Sequence, residues 1–112
     1  MRYVVVSAHV PLPGEPLVIS AGERLRWERR PTEWAGWLFC ESAPGVRGWA
    51  PEAWLTIDGE EAVMVRDYDA RELAVGEGDF VDGELVESGW VLARDAAGGR
   101  GWVPLACLEK QS

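Results

Sequence analysis

The sequence is poor in the residues that most often build catalytic and metal sites, with two cysteines, Cys40 and Cys107, and one histidine, His9. Zinc sites need clustered Cys and His ligands, so we expect no metal and no other cofactor. A Cys–His pair can act as a nucleophile and its base, but we expect Cys40 to be an inert core residue, and no spacing requires His9 to approach Cys107. We therefore expect a protein that is not an enzyme. The lack of a disulfide framework favours a reducing compartment.

Positive charge is also scarce. The chain has 11 Lys and Arg residues against 19 Asp and Glu residues, which gives a formal net charge of -8. Proteins that bind a nucleic-acid backbone use clustered Lys and Arg side chains to neutralise phosphates and release counterions. We therefore expect no nucleic-acid partner and, for the same reason, no anionic membrane surface as a partner.

Long apolar runs are missing as well. Residues 1–9 contain one charge and too short an apolar run for a signal peptide, and Pro11 and Pro13 interrupt the next stretch of chain. No run approaches the length of a transmembrane helix. We therefore expect a cytoplasmic protein. Apolar residues also fail to recur at helical spacing over three turns, so the pattern predicts an all-β fold.

An internal repeat organises the chain. The stretch Gly48-Trp49-Ala50-Pro51 recurs as Gly101-Trp102-Val103-Pro104, and in each copy another tryptophan, Trp37 or Trp90, stands twelve positions before the repeated one. Two copies at a period of about fifty residues indicate paired small domains rather than a solenoid. We predict a first domain over residues 1–56, a short acidic linker over 57–61 and a second domain over 62–112.

Each half contains a series of short apolar or alternating segments separated by turn residues. The predicted strands of the first half are residues 3–7, 17–19, 24–28, 37–40 and 49–55. Those of the second half are residues 62–66, 73–75, 79–81, 90–93 and 102–104, with an acidic loop over 82–89. Five short strands with intervening turns indicate a small antiparallel barrel in each half.

Several motifs, in the same order in both halves, resemble the Src homology 3 (SH3) family. In the second half they are Asp67-Tyr68-Asp69-Ala70, Glu72-Leu73, Gly78-Asp79, Gly89-Trp90 and Gly101-Trp102-Val103-Pro104. In the first half they are Leu17, Gly22-Glu23, Gly36-Trp37, Gly48-Trp49-Ala50-Pro51 and Trp54. The resemblance covers nearly the whole chain and implies two five-stranded SH3-like barrels in tandem.

The resemblance also implies a ligand groove in each half, walled by aromatic rings, that binds a proline-rich segment. Polyproline II helices suit such grooves because they are already extended and lose little entropy on binding. The groove of the second half would use Tyr68, Trp90, Trp102 and Pro104, with Asp69 and Glu72 facing a basic ligand residue. That of the first half would use His9, Trp37, Trp49, Pro51 and Trp54, with Glu15 and Glu33 as candidate acidic contacts.

The chain departs from the family pattern at the aromatic positions that form the first proline slot. The first tyrosine of the family signature is replaced by Ser7 in one half and by Arg66 in the other, and His9 replaces the second tyrosine of the first half. The last groove tyrosine corresponds to Trp54 in the first half and to Cys107 in the second. We therefore expect ordinary proline-rich binding to be weakened in both halves, since each lost ring removes specific contacts with the ligand.

Strand alternation separates a predicted core from predicted outward-facing tryptophans. We expect the tryptophans of the grooves to face solvent, because seven tryptophans are too many for two cores this small. The predicted core of the first half is Val5, Leu17, Ile19, Leu25, Cys40, Ala50 and Leu55, and that of the second half is Met64, Leu73, Val75, Val81, Ala93, Val103 and Leu108.

These observations predict a non-catalytic module that binds a protein or peptide partner through a proline-containing or basic segment. The surplus of acidic side chains would steer a basic peptide towards Trp90. One alternative is a structural scaffold or homodimer whose grooves are occluded by the other domain or by a second copy of the chain. Another is the recognition of cell-wall peptide, as in bacterial relatives of the family, which requires export.

Overall fold

The computed structural model describes residues 1–32 and 34–111, and the described residues confirm the predicted all-β fold. No helix in this part of the chain is long and apolar enough to cross a membrane. Two short 3-10 segments, Glu52–Trp54 and Leu105–Cys107, interrupt the strands. The strands of the described residues are β1 (Arg2–Val5), β2 (Val18–Ile19), β3 (Arg24–Glu28), β4 (Trp37–Glu41), β5 (Arg47–Pro51), β6 (Leu55–Asp58), β7 (Glu61–Met64), β8 (Tyr68–Asp69), β9 (Phe80–Glu87), β10 (Trp90–Arg94), β11 (Arg100–Pro104) and β12 (Leu108–Lys110).

The chain forms two compact units whose boundaries differ from the predicted domains. One unit, called here the continuous unit, is Gly14–Ala70. The other, called here the split unit, combines Met1–Pro13 with Arg71–Ser112. Each unit is therefore assembled from segments of both sequence repeats.

In the split unit a five-stranded sheet has the order β11-β10-β9-β1-β12. Strand β1 pairs antiparallel with β9 on one side and with β12 on the other, with Tyr3 opposite both Val81 and Lys110. The first strand of the chain thus completes a sheet whose other strands all come from the second repeat.

In the continuous unit a five-stranded sheet has the order β5-β4-β3-β7-β6, and β2 pairs with β8 in a separate two-stranded sheet. Strand β7 lies between β3 and β6, with Ala62 opposite both Leu25 and Ile57. The first strand of the second repeat therefore completes the sheet of the first repeat. The two repeats have exchanged their first strands.

A tight hairpin explains the position of β7. Strands β6 and β7 pair from Leu55 opposite Met64 to Asp58 opposite Glu61, and Gly59 has a φ of 64° in the turn between them. A two-residue turn with glycine at positive φ is typical of β-hairpins. Residues 57–61 are thus strand and turn within one sheet, where we predicted a linker between domains.

In the part of the chain that the structure describes, neither five-stranded sheet is closed by pairing between its first and last strands. Among the described residues, the first sheet ends on β11 and β12 and the other on β5 and β6. The resemblance implies closed barrels. The strand pairing of the described residues shows one five-stranded antiparallel sheet in each unit, but not the closure of these sheets into barrels.

All fourteen predicted core residues are buried, which confirms the alternation used to select them. Two of them, however, lie in the opposite unit from the one predicted. Val5 packs in the core of the split unit, with Val81, Val91 and Val103 among its neighbours. Met64 belongs to the continuous unit. The alternation survives the exchange because β1 and β7 have the same sequence of exposed and buried positions.

The acidic loop predicted over residues 82–89 is largely strand. Strand β9 extends to Glu87 and pairs with β10, with a register shift between Leu92 and Ala93. Gly83 has a local reason to be glycine, since a Cβ there would lie 2.6 Å from Cε2 of Tyr3. Strand β9 therefore continues through polar residues because its backbone pairs with β10 and Tyr3 packs against it at Gly83.

Candidate functional site

The backbone of the split unit places His9 beside the segment that begins at Arg71. His9 and Val75 form an isolated antiparallel bridge, in which each backbone N–H donates to the other residue's carbonyl oxygen at 3.0 Å. On the neighbouring sheet, Trp90 of β10 lies directly opposite Pro104 of β11. These two backbone arrangements bring side chains of both sequence repeats together.

The side chains at this position form an aromatic and acidic cluster, called here the His9–Trp90 site. The rings of His9 and Trp90 meet edge to face, with centroids 5.7 Å apart and an interplanar angle of 82°. The Nε2–H of His9 donates a hydrogen bond to Glu72 Oε1 at 2.7 Å. The side chains of His9 and Glu72 are 18% and 35% exposed, and Trp90 is half-buried. The site therefore leaves the Glu72 side chain and Trp90 partly accessible to solvent.

Gly101 allows the segment that carries Glu72 to approach β11. A Cβ at this glycine would lie 2.8 Å from the Leu73 nitrogen and 2.9 Å from the Arg71 carbonyl oxygen. In the space left free, Trp102 N–H donates to the Arg71 carbonyl and Leu73 N–H donates to the Trp102 carbonyl, both at 3.0 Å. Glu72 is thereby held against the strand that carries Pro104.

A second aromatic cluster, called here the Tyr68–Trp54 cluster, lies in the continuous unit. The Tyr68 hydroxyl donates to the Trp49 carbonyl oxygen at 2.8 Å, and the rings of Tyr68 and Trp54 meet edge to face at 5.6 Å. The guanidinium of Arg66 lies 4.2 Å from the centroid of the Trp54 ring. Tyr68 and Trp54 are only 5% and 6% exposed, so this cluster is closed to solvent.

The predicted grouping of site residues is wrong for His9 and Tyr68, which have changed places. We expected His9 with the tryptophans of the first repeat and Tyr68 with Trp90 and Trp102. The structure places His9 beside Trp90 and Tyr68 beside Trp54. The cause is the strand exchange, since His9 follows β1 and Tyr68 follows β7.

The acidic residues of the predicted grooves are divided in the same way. Glu72 belongs to the His9–Trp90 site, whereas Asp69 is an exposed residue of β8 in the continuous unit, opposite Val18. Glu15 is also an exposed residue of the continuous unit. Glu33 lies outside the described residues.

The expectation of solvent-facing tryptophans is wrong for three of the five. Trp37, Trp54 and Trp102 are 8%, 6% and 3% exposed, while Trp49 and Trp90 are half-buried. Strand alternation predicts which side chains face away from the core, but such a side chain can still be buried by other residues. At the start of β4, for example, Trp37 and the next residue, Leu38, point to opposite faces and both are buried.

The prolines of the repeated motif are buried in both units. Pro51 lies opposite Trp37 across β4 and β5, as Pro104 lies opposite Trp90 across β10 and β11. The two units therefore share the tryptophan–proline pair, but only the split unit leaves the tryptophan of that pair partly accessible.

The cysteines are free thiols in different environments. Cys40 is buried, as predicted for a core residue, and burial raises the pKa of its thiol to about 12. It therefore remains protonated at neutral pH and is not a nucleophile. Cys107 is half-buried. Over residues 1–32 and 34–111, no group of three or more His, Cys, Asp or Glu side chains could hold a metal ion.

Sequence reasoning missed a surface cluster around Phe39 in the continuous unit. Phe39 packs edge to face against Trp49 at 5.3 Å, and the guanidinium of Arg30 lies 3.9 Å from its ring centroid. A period of two places Phe39 on the same face of β4 as Trp37. The alternation in the sequence therefore signals this cluster, whereas the resemblance points only to the groove positions of the family.

Comparison with known proteins adds no relative, because no family model, no curated protein and no solved structure matches the chain. The functional assignment therefore depends on the sequence motifs and on the geometry of two clusters at predicted site residues, the His9–Trp90 site and the Tyr68–Trp54 cluster. Of these, the His9–Trp90 site is the more accessible.

Proposed function

We propose that the chain is a non-catalytic binding module of two SH3-like barrels, and that its His9–Trp90 site takes a short proline-containing or basic segment of a partner protein. One observation carries the proposal. A half-buried tryptophan opposite a proline, a histidine ring in edge-to-face contact with that tryptophan and a 35% exposed glutamate side chain converge in one place. We place this function in a reducing compartment such as the cytoplasm, because both cysteines are free thiols.

The chemistry of the site supports both features of the ligand. A polyproline II segment offers flat apolar ring faces and loses little entropy on binding, and aromatic side chains provide slots for such faces. Glu72 supplies an acceptor for a ligand Lys or Arg, and a net charge of -8 attracts a basic peptide over longer distances. His9 holds Glu72 in position through its hydrogen bond.

The Tyr68–Trp54 cluster is less suited to the same ligand. Its two rings are buried, and the guanidinium of Arg66 already occupies a face of Trp54. A basic ligand residue would be repelled by that positive charge. We therefore assign the cluster a structural role in the continuous unit and assign binding to the split unit.

The experiment that tests this function is a peptide array of decapeptides that vary in proline and in Lys or Arg, probed with the intact chain. Affinities of captured peptides are then measured in solution for Trp90→Ala, Glu72→Gln and Trp49→Ala. We expect Trp90→Ala to weaken binding by about tenfold or more, because a buried aromatic anchor dominates small interfaces. Glu72→Gln should weaken mainly the basic peptides, and Trp49→Ala should have no effect.

Trp90→Phe separates loss of the ring from loss of folding. It keeps an aromatic wall, so we expect it to restore most of the affinity that Trp90→Ala removes. If captured peptides bind Trp90→Ala as tightly as the unchanged chain, the His9–Trp90 site is not where they bind and the proposal is wrong.

A purely structural role is the second candidate, favoured by the burial of Trp37, Trp54 and Trp102. In that case the chain would serve as a scaffold or homodimer without a free ligand site. Acrylamide quenching distinguishes the two. We expect Trp90→Phe to remove a larger share of the quenchable fluorescence than Trp54→Phe, whereas a scaffold with both sites occluded would show equal, small losses.

A further inference from the structure

The outer face of the continuous unit carries an aromatic pair flanked by arginines. Across strands β3, β4 and β5, Phe39 lies opposite Glu28 on one side and Trp49 on the other. The two rings meet edge to face at 5.3 Å and both are half-buried. The guanidinium carbons of Arg30 and Arg47 lie 3.9 Å and 5.1 Å from the Phe39 ring centroid.

The two arginines share a single carboxylate unequally. Arg30 forms a close ion pair with Glu28, whereas Arg47 reaches the same carboxylate oxygen only at 3.8 Å. Within the described residues, the guanidinium of Arg47 has no shorter ion pair or hydrogen bond. A guanidinium that stacks on an aromatic ring keeps its N–H donors at the ring edge available for a carboxylate. Arg47 therefore offers donors that the protein itself does not use.

An arginine pair in the split unit, which includes Arg100 at the repeat position equivalent to Arg47, is bonded differently. Arg94 and Arg100 both donate to Glu84, at 3.2 Å and 3.1 Å, and the hydrogen bond from Arg100 lowers the pKa of that carboxyl. There the carboxylate is bonded by both guanidinium groups. Of the two arginines beside Phe39, by contrast, only Arg30 is close to the shared carboxylate of Glu28.

Local charge also sets this face apart. Arg26 and Arg47 lie opposite Glu41, and Arg26 also lies opposite Glu61. With Arg30 and Glu28, the face therefore carries three arginines and three carboxylates, in a chain with a net charge of -8. Three arginines balanced by three carboxylates disfavour nucleic acid, which needs many phosphate contacts. The guanidinium of Arg47, which lies 3.8 Å from its nearest carboxylate partner, suits a ligand with one or two carboxylates.

We propose that the face around Phe39 is a second binding surface, which takes an acidic peptide segment with an aromatic or apolar side chain next to its carboxylate. Arg47 donates to the ligand carboxylate, and the ligand side chain packs against the edges of Phe39 and Trp49. Bidentate arginine–carboxylate bonds are among the strongest that exposed side chains form. This surface lies in the continuous unit and is independent of the function proposed for the His9–Trp90 site.

Glu28 makes a distinctive prediction possible, because removing its charge should strengthen ligand binding rather than weaken it. Its carboxylate lies where a ligand carboxylate would bind, so it competes with the ligand for Arg30 and Arg47. Removing the charge of Glu28 should therefore tighten binding. Removing a surface acid elsewhere in this protein should not, beyond the small effect of net charge.

The test is an NMR titration of the intact chain with the capped peptide Gly-Glu-Phe-Glu-Gly, observing the Trp49 indole N–H, and with a matched peptide in which Lys replaces Glu. We expect the acidic peptide to shift the Trp49 signal and the lysine peptide to leave it unchanged. Arg47→Gln should weaken binding about five- to tenfold, and Glu28→Gln should strengthen it about two- to fivefold. Arg94→Gln and Glu84→Gln are charge-matched controls in the split unit and should leave the affinity unchanged.

Other outcomes would overturn the proposal. These are an unmoved Trp49 signal at millimolar acidic peptide, an affinity insensitive to Arg47→Gln, or equal binding of the lysine peptide. Equal or tighter binding of a single-stranded decathymidylate at Trp49 would make the surface a phosphate site instead. Trp90→Ala should leave acidic-peptide binding intact, so failure of the His9–Trp90 site would not be mistaken for failure here.

Discussion

Gly101 shows how one backbone position shapes the candidate site. The repeated Gly-Trp motif contains a glycine in both copies, but only Gly101 has backbone atoms within 3 Å of where a Cβ would stand. The equivalent Gly48 has Leu17 Cβ at 3.4 Å, which is ordinary contact. The sequence predicts a shared motif here, but it does not reveal that the glycine is sterically required in one copy and tolerant in the other.

We predict that Gly101→Ala destabilises the protein by about 2–3 kcal/mol, since overpacking against backbone forces the segment at Arg71–Leu73 to move. Gly48→Ala is the matched control and should change the free energy of unfolding by less than about 1 kcal/mol. Urea denaturation of the two variants measures both values. Equal losses would mean that the close approach at Gly101 does not exist in solution.

The strand elements were predictable where alternation, turns and burial agree. The strand at residues 24–28 was predicted with its observed bounds, and every predicted core residue is buried. The prediction failed where pairing rather than burial extends a strand, as in the polar half of β9. It also failed for residues 73–75, where Leu73 and Val75 are buried but the backbone forms only isolated bridges at Glu72 and Val75.

Pairing partners could not be predicted from strand pattern, because β1 and β7 are interchangeable at that level. Both expose and bury their four residues in the same order, and both lie between the first long strand and the last strand of a sheet. The short connection at Gly59 decides the outcome. A two-residue hairpin closes at low entropic cost, which favours the pairing of β7 with β6 over pairing with a distant strand.

The strand exchange predicts that core substitutions act on the opposite repeat. Val5→Ala should lower amide hydrogen-exchange protection in β9–β12 by about 2 kcal/mol or less, and Met64→Ala should lower it in β3–β6 by about 2–4 kcal/mol, because each leaves a cavity in a close-packed core. Exchange measured by NMR or mass spectrometry resolves the two regions. Loss of protection in β3–β6 on Val5→Ala would contradict the exchange.

For the whole molecule, the exchange determines which residues can act together. A tandem of two self-contained repeats would put His9 with Trp37 and Trp49, and Tyr68 with Trp90. The exchanged arrangement instead builds one buried aromatic cluster and one partly accessible site, and it gives the accessible site the histidine. The binding chemistry proposed here therefore depends on topology as much as on the motifs, and the motifs alone assigned His9 to the wrong group.

The most direct measurement is the nuclear Overhauser effect from the imidazole of His9 in the intact chain, which is unambiguous because the chain has a single histidine. We expect cross-peaks from the His9 ring to the Trp90 indole, consistent with a centroid distance of 5.7 Å. We also expect the His9 and Trp90 signals to shift when a peptide captured by the array is added. Cross-peaks from His9 to Trp37 or Trp49, with none to Trp90, would contradict both the strand exchange and the binding site that depends on it.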